Sequence, residues 1–162
     1  MNAVQPAEVV GVTDVELESL LQLVYVRGGF TDSELATSLF AANSVRARGE
    51  LLAVRVPSTN TLIGMVIVVP PDSPAHRMAA SDEAEMHLLA VAPKHRGRGI
   101  GRALVGAAMR TAKAGGYARM VLWTQPSMHS AQRLYLQEGF VRVPDRDWQR
   151  AGRDFLVFQA RL

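Results

Sequence analysis

The chain contains no cysteine among its 162 residues. It therefore cannot form a disulfide, a thiolate metal site or a cysteine nucleophile, and a reducing cytoplasm is the expected location. Aromatic residues make up only 6% of the sequence, and they form no basic and aromatic platform of the kind that binds single-stranded nucleic acid. No segment approaches the roughly 20 apolar residues of a membrane span, and residues 1–6 lack the features of a secretion signal.

The overall composition predicts one soluble domain over residues 1–162. Hydrophobic residues account for 48% of the chain, and its length is sufficient for a sizeable core. The net charge is +3, but the arginines are scattered except around residues 94–102. This cluster fits one polyanionic cofactor better than a nucleic acid, and no metal site is expected.

Hydrophobic periodicity predicts an α/β fold with the element order βααβββαβαββ, in which helices cover both faces of a mixed sheet. The predicted strands are residues 8–12, 51–56, 62–69, 85–91, 120–124, 140–143 and 155–161. The predicted helices begin at residues 13–14, 31–33, 100 and 127. Thr31 and Glu34 have the spacing of a capping box, and Ser127 is the expected cap of the last helix.

The strand at 85–91 is expected to alternate strictly between two faces. One face would carry Glu85, His87, Leu89 and Val91, and the other Met86, Leu88 and Ala90. The preceding polar segment, 70–82, has a length that is often functional in loops.

An apolar strand that runs into an Arg/Gly-rich turn and then a helix predicts an anion-binding site. Gly97, Gly99 and Gly101 allow successive backbone N–H groups to face one ligand, and the helix start adds unpaired N–H groups. Three arginines surround this turn, at 96, 98 and 102. Arg102 stands where a dinucleotide fingerprint requires its third glycine, and no nucleotide P-loop motif is present. The alternative is a glycine-rich connection with solvated arginines.

Two motifs in order resemble the GNAT superfamily of N-acetyltransferases. Arg96-x-x-Gly99-x-Gly101 resembles its acetyl-CoA signature, and Leu134-Tyr135-x-x-x-Gly139-Phe140 resembles its second signature. The likeness covers about residues 83–143 and implies a mostly antiparallel sheet of about six to seven strands, with acetyl-CoA as co-substrate. The residues that it implies for cofactor binding are Leu89, Ala90, Val91, Arg96, Gly97, Arg98, Gly99, Ile100, Gly101, Arg102, Met128 and Tyr135. Met128 stands where the family usually has Asn.

The resemblance also implies catalytic roles. Glu85 lies eleven residues before Arg96, which resembles the spacing of the family's glutamate base, and His87 is the alternative base. Leu89 would offer its backbone N–H to the developing oxyanion, and Tyr135 would protonate the departing thiolate. The structural alternatives are solvent-facing strand positions for Glu85 and His87, and core packing for Leu89, Met128 and Tyr135.

These implications predict transfer of an acetyl group to a primary amine by direct attack on the thioester. Transfer of another acyl group, an oxygen acceptor and a non-catalytic acyl-CoA sensor are the alternatives. The acceptor, a small molecule or a peptide amine, is not readable from the sequence. Phe30, Trp123 and Trp148 are candidates for either the acceptor pocket or simple packing, and none is assigned. A homodimer is left open.

Overall fold

The computed structural model describes residues 7–8 and 11–162, and its framework is an open sheet. The described strands are β1 Ala7–Glu8, β2 Glu50–Arg55, β3 Leu62–Val69, β4 Glu83–Val91, β5 Arg119–Thr124, β6 Val141–Arg142, β7 Trp148–Arg150 and β8 Arg153–Arg161. The described α-helices are α1 Asp14–Leu21, α2 Ser33–Leu39, α3 Ala42–Arg46, α4 Ile100–Ala114 and α5 His129–Gln137. A π-helical segment, Gln22–Val26, continues α1.

Seven strands lie in the order β1-β2-β3-β4-β5-β8-β6, and β7 forms a hairpin with β8. Only β4 and β5 pair in parallel among the described strands. The predicted class, a mixed and mostly antiparallel sheet with helices on both faces, is therefore confirmed.

Two hydrophobic cores cover the two faces of this sheet. One packs α4 and α5 against it, and the other packs α1, α2 and α3 against the opposite face. β3 runs between both cores, and all eight of its residues are buried. In α4 the buried residues recur at helical spacing (Ile100, Leu104, Val105, Ala107, Ala108 and Ala112).

A bulge in β4 corrects the predicted strict alternation. Met65 pairs with Ala90 and Ile67 with His87, so that Leu88 and Leu89 both lie opposite Val66. Leu88 has a φ of 52°. The extra residue reverses the facing of the strand from Leu88 onward. Leu89 and Val91 therefore pack in the same core as Met86, whereas Leu88 and Ala90 pack in the opposite core.

Several local expectations were also wrong. The capping box occurs at Thr13 with Glu16, whereas α2 begins after Asp32 without a side-chain cap and α5 begins after Met128, not Ser127. The short helix α3 and the strand β7 were not predicted. Of the predicted strand 8–12, Glu8 lies in β1, residues 9–10 lie outside the described residues, and residues 11–12 are not in a strand. Within residues 7–8 and 11–162, no helix combines the length and apolarity needed to cross a bilayer.

Candidate active site

β4 and β5 diverge to form a groove through the middle of the sheet. Their described pairing is limited to Glu83–Glu85 against Arg119–Val121. Beyond Glu85 the β5-facing edge of β4 has no strand partner among the described residues. The groove that opens there has a volume of about 1480 Å³ and is lined by residues from both strands and from the helices on both faces.

The β4 bulge lies at the edge of this groove, where Leu89 and Val91 line it. The hydroxyl of Tyr25, on the π-helical segment, donates a hydrogen bond of 2.8 Å to the carbonyl of Leu89. Tyr25 therefore fixes the backbone of the segment whose N–H was predicted to stabilise an oxyanion.

The predicted anion turn joins β4 to α4 at one end of the groove. Gly97 and Gly99 have φ of 75° and 78°, values that other residues rarely adopt. Gly99 is the N-cap of α4, and neither a side-chain cap nor an acidic residue occupies the first turn of this helix. The N–H groups at the helix start are thus available to an anionic ligand.

The three arginines around this turn have different positions. Arg96 lines the groove, and its Nε lies 3.3 Å from the carbonyl of Val91. Arg102 also lines it but pairs with Glu138, with 2.8 Å between Nε and Oε1. Arg98 is exposed and lies outside the lining residues. Of the predicted charges, Arg96 is the one best placed for a phosphate.

Tyr135 is buried in α5 and faces the groove opposite β4. Its ring packs against Phe140 and Phe158, with centroid distances of 5.8 and 6.1 Å. Burial, followed by the proximity of Tyr25, raises the pKa of its hydroxyl, so that the phenol keeps its proton at neutral pH. Tyr135 therefore both packs in the core and lines the groove.

Glu85 is fully buried beside the groove and does not line it. Its Oε1 accepts backbone N–H bonds from Arg77, Met78 and Ala79 at 2.7, 2.6 and 2.9 Å. Its Oε2 lies 2.6 Å from Nε2 of His87. Burial alone would raise the pKa of Glu85, but these hydrogen bonds outweigh it and lower the pKa to about 2.

His87 is buried and its ring does line the groove. Its Nδ1 lies 3.2 Å from Nη1 of Arg48. The second terminal nitrogen of Arg48, Nη2, donates a hydrogen bond to the carbonyl of Leu39. Burial lowers the pKa of His87 despite the opposing effect of Glu85. The neutral imidazole then donates to Glu85 through Nε2 and presents Nδ1 towards Arg48 and the groove.

These contacts contradict the alternative in which Glu85 and His87 are solvent-facing strand residues. Glu85 and His87 are buried because the loop 70–82 folds over them and uses Glu85 as the acceptor for its backbone N–H groups. Direct proton transfer from a substrate to Glu85 has no support in this geometry, since both carboxylate oxygens have partners and neither faces the groove. His87 is the titratable side chain of the pair that a substrate can reach.

Comparison with known proteins gives the family. Residues 16–140 match the model of the "Acetyltransferase (GNAT) family", which is well over half of the chain. The chain belongs to this family.

Individual GNAT relatives agree with this assignment. N-acetyltransferase 8F1 of Rattus norvegicus is 32% identical over 105 residues, which is 65% of this chain and 42% of the relative. The chain thus spans less than half the length of this curated relative. A GNAT acetyltransferase structure from Staphylococcus aureus has a TM-score of 0.77 at 15% identity, and a Bacillus subtilis acetyltransferase in complex with CoA has 0.69 at 20%; each covers 99% of both chains.

Most of the cofactor residues that the GNAT resemblance implied lie along the groove. They are Leu89, Val91, Arg96, Gly97, Gly99, Ile100, Gly101, Arg102, Met128 and Tyr135. Ala90 points into the core on the α1–α3 face, and Arg98 is exposed. The Sδ of Met128, at the position where Asn is usual, accepts a hydrogen bond of 3.2 Å from Thr124 Oγ1.

At the end of this GNAT groove away from the glycine turn, sequence reasoning missed Arg77 and Phe155 and left Trp123 and Trp148 unassigned between an acceptor pocket and core packing. Trp148 stacks on Phe155 with a centroid distance of 4.2 Å, and the guanidinium of Arg77 lies 3.4 Å from the centre of the Trp148 ring. Trp123 contacts both His87 and Trp148 edge to face, at 4.9 and 5.6 Å. No local motif marks these residues, because they come from a loop and three strands that meet only in the fold.

Proposed function

We propose that the protein is an acetyl-CoA-dependent N-acetyltransferase in which the primary amine of an acceptor attacks the thioester directly. The observation that carries this proposal is the β5-facing edge of β4, which beyond Glu85 has no strand partner in the part of the chain that the structure describes. This edge leads into the glycine turn and the start of α4, where no described side chain caps the helix. Such an edge suits the extended, amide-containing arm of CoA, and the turn suits its pyrophosphate. The Bacillus subtilis acetyltransferase of similar fold is in complex with CoA, which supports CoA as the ligand of the groove.

The reaction requires four events at one carbonyl carbon. The amine nitrogen attacks this carbon, the carbonyl oxygen gains negative charge, the C–S bond breaks and the amine loses a proton. In the proposal the N–H of Leu89 stabilises the oxygen, and Tyr135, held protonated by burial, gives its proton to the departing thiolate.

We assign the amine proton to His87, with Glu85 as its positioning residue. The neutral imidazole faces the groove, and the hydrogen bond from Nε2 to Glu85 fixes its tautomer and orientation. The Glu85 carboxylate also stabilises the imidazolium that forms when Nδ1 accepts a proton. Movement of Arg48 away from Nδ1 precedes this step.

The absence of cysteine suits a reducing compartment, and the proposal places the enzyme in the cytoplasm.

Loss of the acetyl-CoA thioester in the presence of a panel of primary amines tests the proposal. We expect amine-dependent release of CoA and an acceptor whose mass increases by one acetyl group. Tight CoA binding without turnover of any amine would instead indicate an acyl-CoA sensor. Faster turnover of longer acyl-CoA thioesters would contradict the acetyl assignment.

A further inference from the structure

The described residues that line the groove have an unusual charge composition. They include seven arginines and all four histidines of the chain, and no Asp or Glu. A site for a polyamine or another polycation would need acidic residues. This lining therefore favours anionic ligands over its whole length.

Four of the seven arginines either belong to the glycine turn or form an ion pair with a carboxylate. Arg96 and Arg102 belong to the glycine turn, Arg146 pairs with Glu83 at 2.9 Å, and Arg153 pairs with Asp32 at 3.1 Å. Three remain, namely Arg48, Arg77 and Arg150.

These three arginines converge from separate parts of the chain. Arg48 precedes β2, Arg77 lies in the loop 70–82, and Arg150 ends β7. None of them forms an ion pair with any described residue. The guanidinium groups of Arg77 and Arg150 lie 3.4 and 5.9 Å from the centre of the same Trp148 ring. Burial lowers the pKa of Arg48 and of Arg77, and the charge of Arg150 lowers both further, whereas the charge of Glu85 opposes the shift at Arg77.

This cluster lies at the acceptor end of the groove. Arg48 contacts His87, and Arg77 stacks on Trp148. β4 ends at Val91, just before the glycine turn. His87 lies four residues earlier, which corresponds to about 13 Å along a regular strand. The cofactor phosphates at the turn therefore do not neutralise it.

We propose that the acceptor is a small primary amine that carries a carboxylate and an apolar or aromatic body, as in an aromatic amino acid. This inference names the substrate class of the proposed acetyltransferase and rests on that function. Arginine forks bind a carboxylate through two parallel hydrogen bonds. The wall of Trp123, Trp148 and Phe155 supplies the surface for the body.

The same charge assists the reacting amine. A positive potential disfavours the ammonium form and lowers the pKa of the bound amine, so that more of it is in the nucleophilic state at neutral pH. Binding of the carboxylate also gives Arg48 an alternative partner to Nδ1 of His87. The groove can therefore bind the amine in its neutral form, although no Asp or Glu is among the described residues that line it.

A binding experiment tests the carboxylate independently of catalysis. Both tryptophans of the chain line the groove, so quenching of their fluorescence reports occupancy. N-acetylphenylalanine, its amide and its phosphonate analogue are the probes. We expect the carboxylate to bind at least about tenfold more tightly than the amide, the effect of one or more charge-assisted hydrogen bonds. Equal binding of carboxylate and amide, or binding of the phosphonate alone, would overturn the proposal.

Variants that each remove one arginine charge test which residues bind the carboxylate. Arg77→Gln and Arg150→Gln should each weaken carboxylate binding about tenfold while leaving affinity for the amide and for CoA unchanged. Arg110→Gln is the matched control, because Arg110 is exposed on α4 outside the groove. Unchanged carboxylate binding in both groove variants would contradict the assignment.

A turnover experiment separates this inference from the proposed function. Phenylalanine should be acetylated at least about tenfold more efficiently than phenethylamine, which lacks only the carboxylate. Comparable kcat/KM for the two amines would overturn the acceptor class. Carboxylate-selective binding with no acetylation of either amine would refute the transferase and leave the anion site standing.

Discussion

At the scale of single residues, Glu85 organises the acceptor end of the groove through its two oxygens. One oxygen holds three successive N–H groups of the loop 70–82, and the other holds His87. Burial of this carboxylate is tolerated because both of its oxygens have hydrogen-bond partners. The loop that carries Arg77 and the imidazole that faces the groove are positioned by the same carboxylate.

The pH dependence of kcat/KM distinguishes the roles of Glu85 and His87. The pKa of His87 lies below the ordinary histidine value of about 6.5. If His87 is the base, kcat/KM should therefore fall only below about pH 6.5, where the imidazole becomes protonated. Glu85→Gln removes the charge that raises this pKa, so the acidic limb should move to still lower pH and the rate should fall. His87→Gln should remove the limb and lower turnover about 10²-fold. If Glu85→Gln abolishes the limb and His87→Gln keeps it, Glu85 is the base.

Replacement of Tyr135 by Phe tests the proposed acid. The ring packing against Phe140 and Phe158 is retained, and only the proton donor is lost. We expect kcat to fall about 10²-fold while the Kd for CoA, measured by calorimetry, hardly changes. Tyr25→Phe is the informative comparison, because it removes the other phenol of the groove and its bond to Leu89. Wild-type turnover in Tyr135→Phe would leave this phenol with a packing role only.

At the scale of elements, the turn between β4 and α4 combines two left-handed glycines with a helix start that has no cap of its own. Among residues 7–8 and 11–162, no atom lies within 4 Å of the position that a Cβ would occupy at Gly97 or Gly99. These glycines are thus required by backbone conformation and by the approach of a ligand, not by packing within the chain.

Gly99→Asp should abolish CoA binding, since it places a carboxylate beside the N–H groups expected to hold the pyrophosphate. Gly116→Asp is the matched control: Gly116 has a φ of 88°, an equally open Cβ position and a place beyond the far end of α4. Both variants should lose similar stability, about 1 kcal/mol, in thermal melts. Calorimetry should detect CoA binding only to Gly116→Asp, and equal affinity in the two variants would contradict the site.

Elements with a repeating pattern were predictable from the sequence, and those defined by irregularity were not. The helical spacing of apolar residues in α4 and the apolar runs of β2 and β3 result from burial. Such patterns can be read directly from the sequence. The bulge at Leu88 is invisible to the same reasoning, because one inserted residue changes the facing of a strand without changing its composition. The hairpin between β7 and β8 turns through Ala151 and Gly152, both at positive φ, and only the glycine is a conventional signal.

At the scale of the whole molecule, sequence reasoning specified individual residues for the proposed cofactor end of the groove, whereas for the acceptor it specified only segments of the chain. The cofactor end comes mostly from one continuous segment, a strand, a turn and a helix start. The proposed acceptor end depends on residues as distant along the chain as Arg48 and Arg150, which both line the groove although their neighbouring strands, β2 and β7, are not adjacent in the sheet. Scattered arginines in the sequence thus become one cluster in the fold.

CoA should act as a missing strand between β4 and β5. Hydrogen exchange of the amides at residues 88–91 should slow when CoA is added, while amides of β3, already paired on both sides, should change little. The melting temperature should rise with CoA concentration, because the ligand binds only the folded chain. Protection that is confined to the helices would contradict this placement.

The short pairing of β4 with β5 also divides the polypeptide. Strands β1 to β4 come from residues 7–91 and strands β5 to β8 from residues 119–161, so each side of the groove is a consecutive stretch of chain. Helix α4 connects the two stretches and ends at the exposed pair Gly115 and Gly116. A break in the chain at this pair would interrupt no strand and no core contact, which makes it the natural point at which to divide the protein into two complementary fragments whose reassociation CoA would promote.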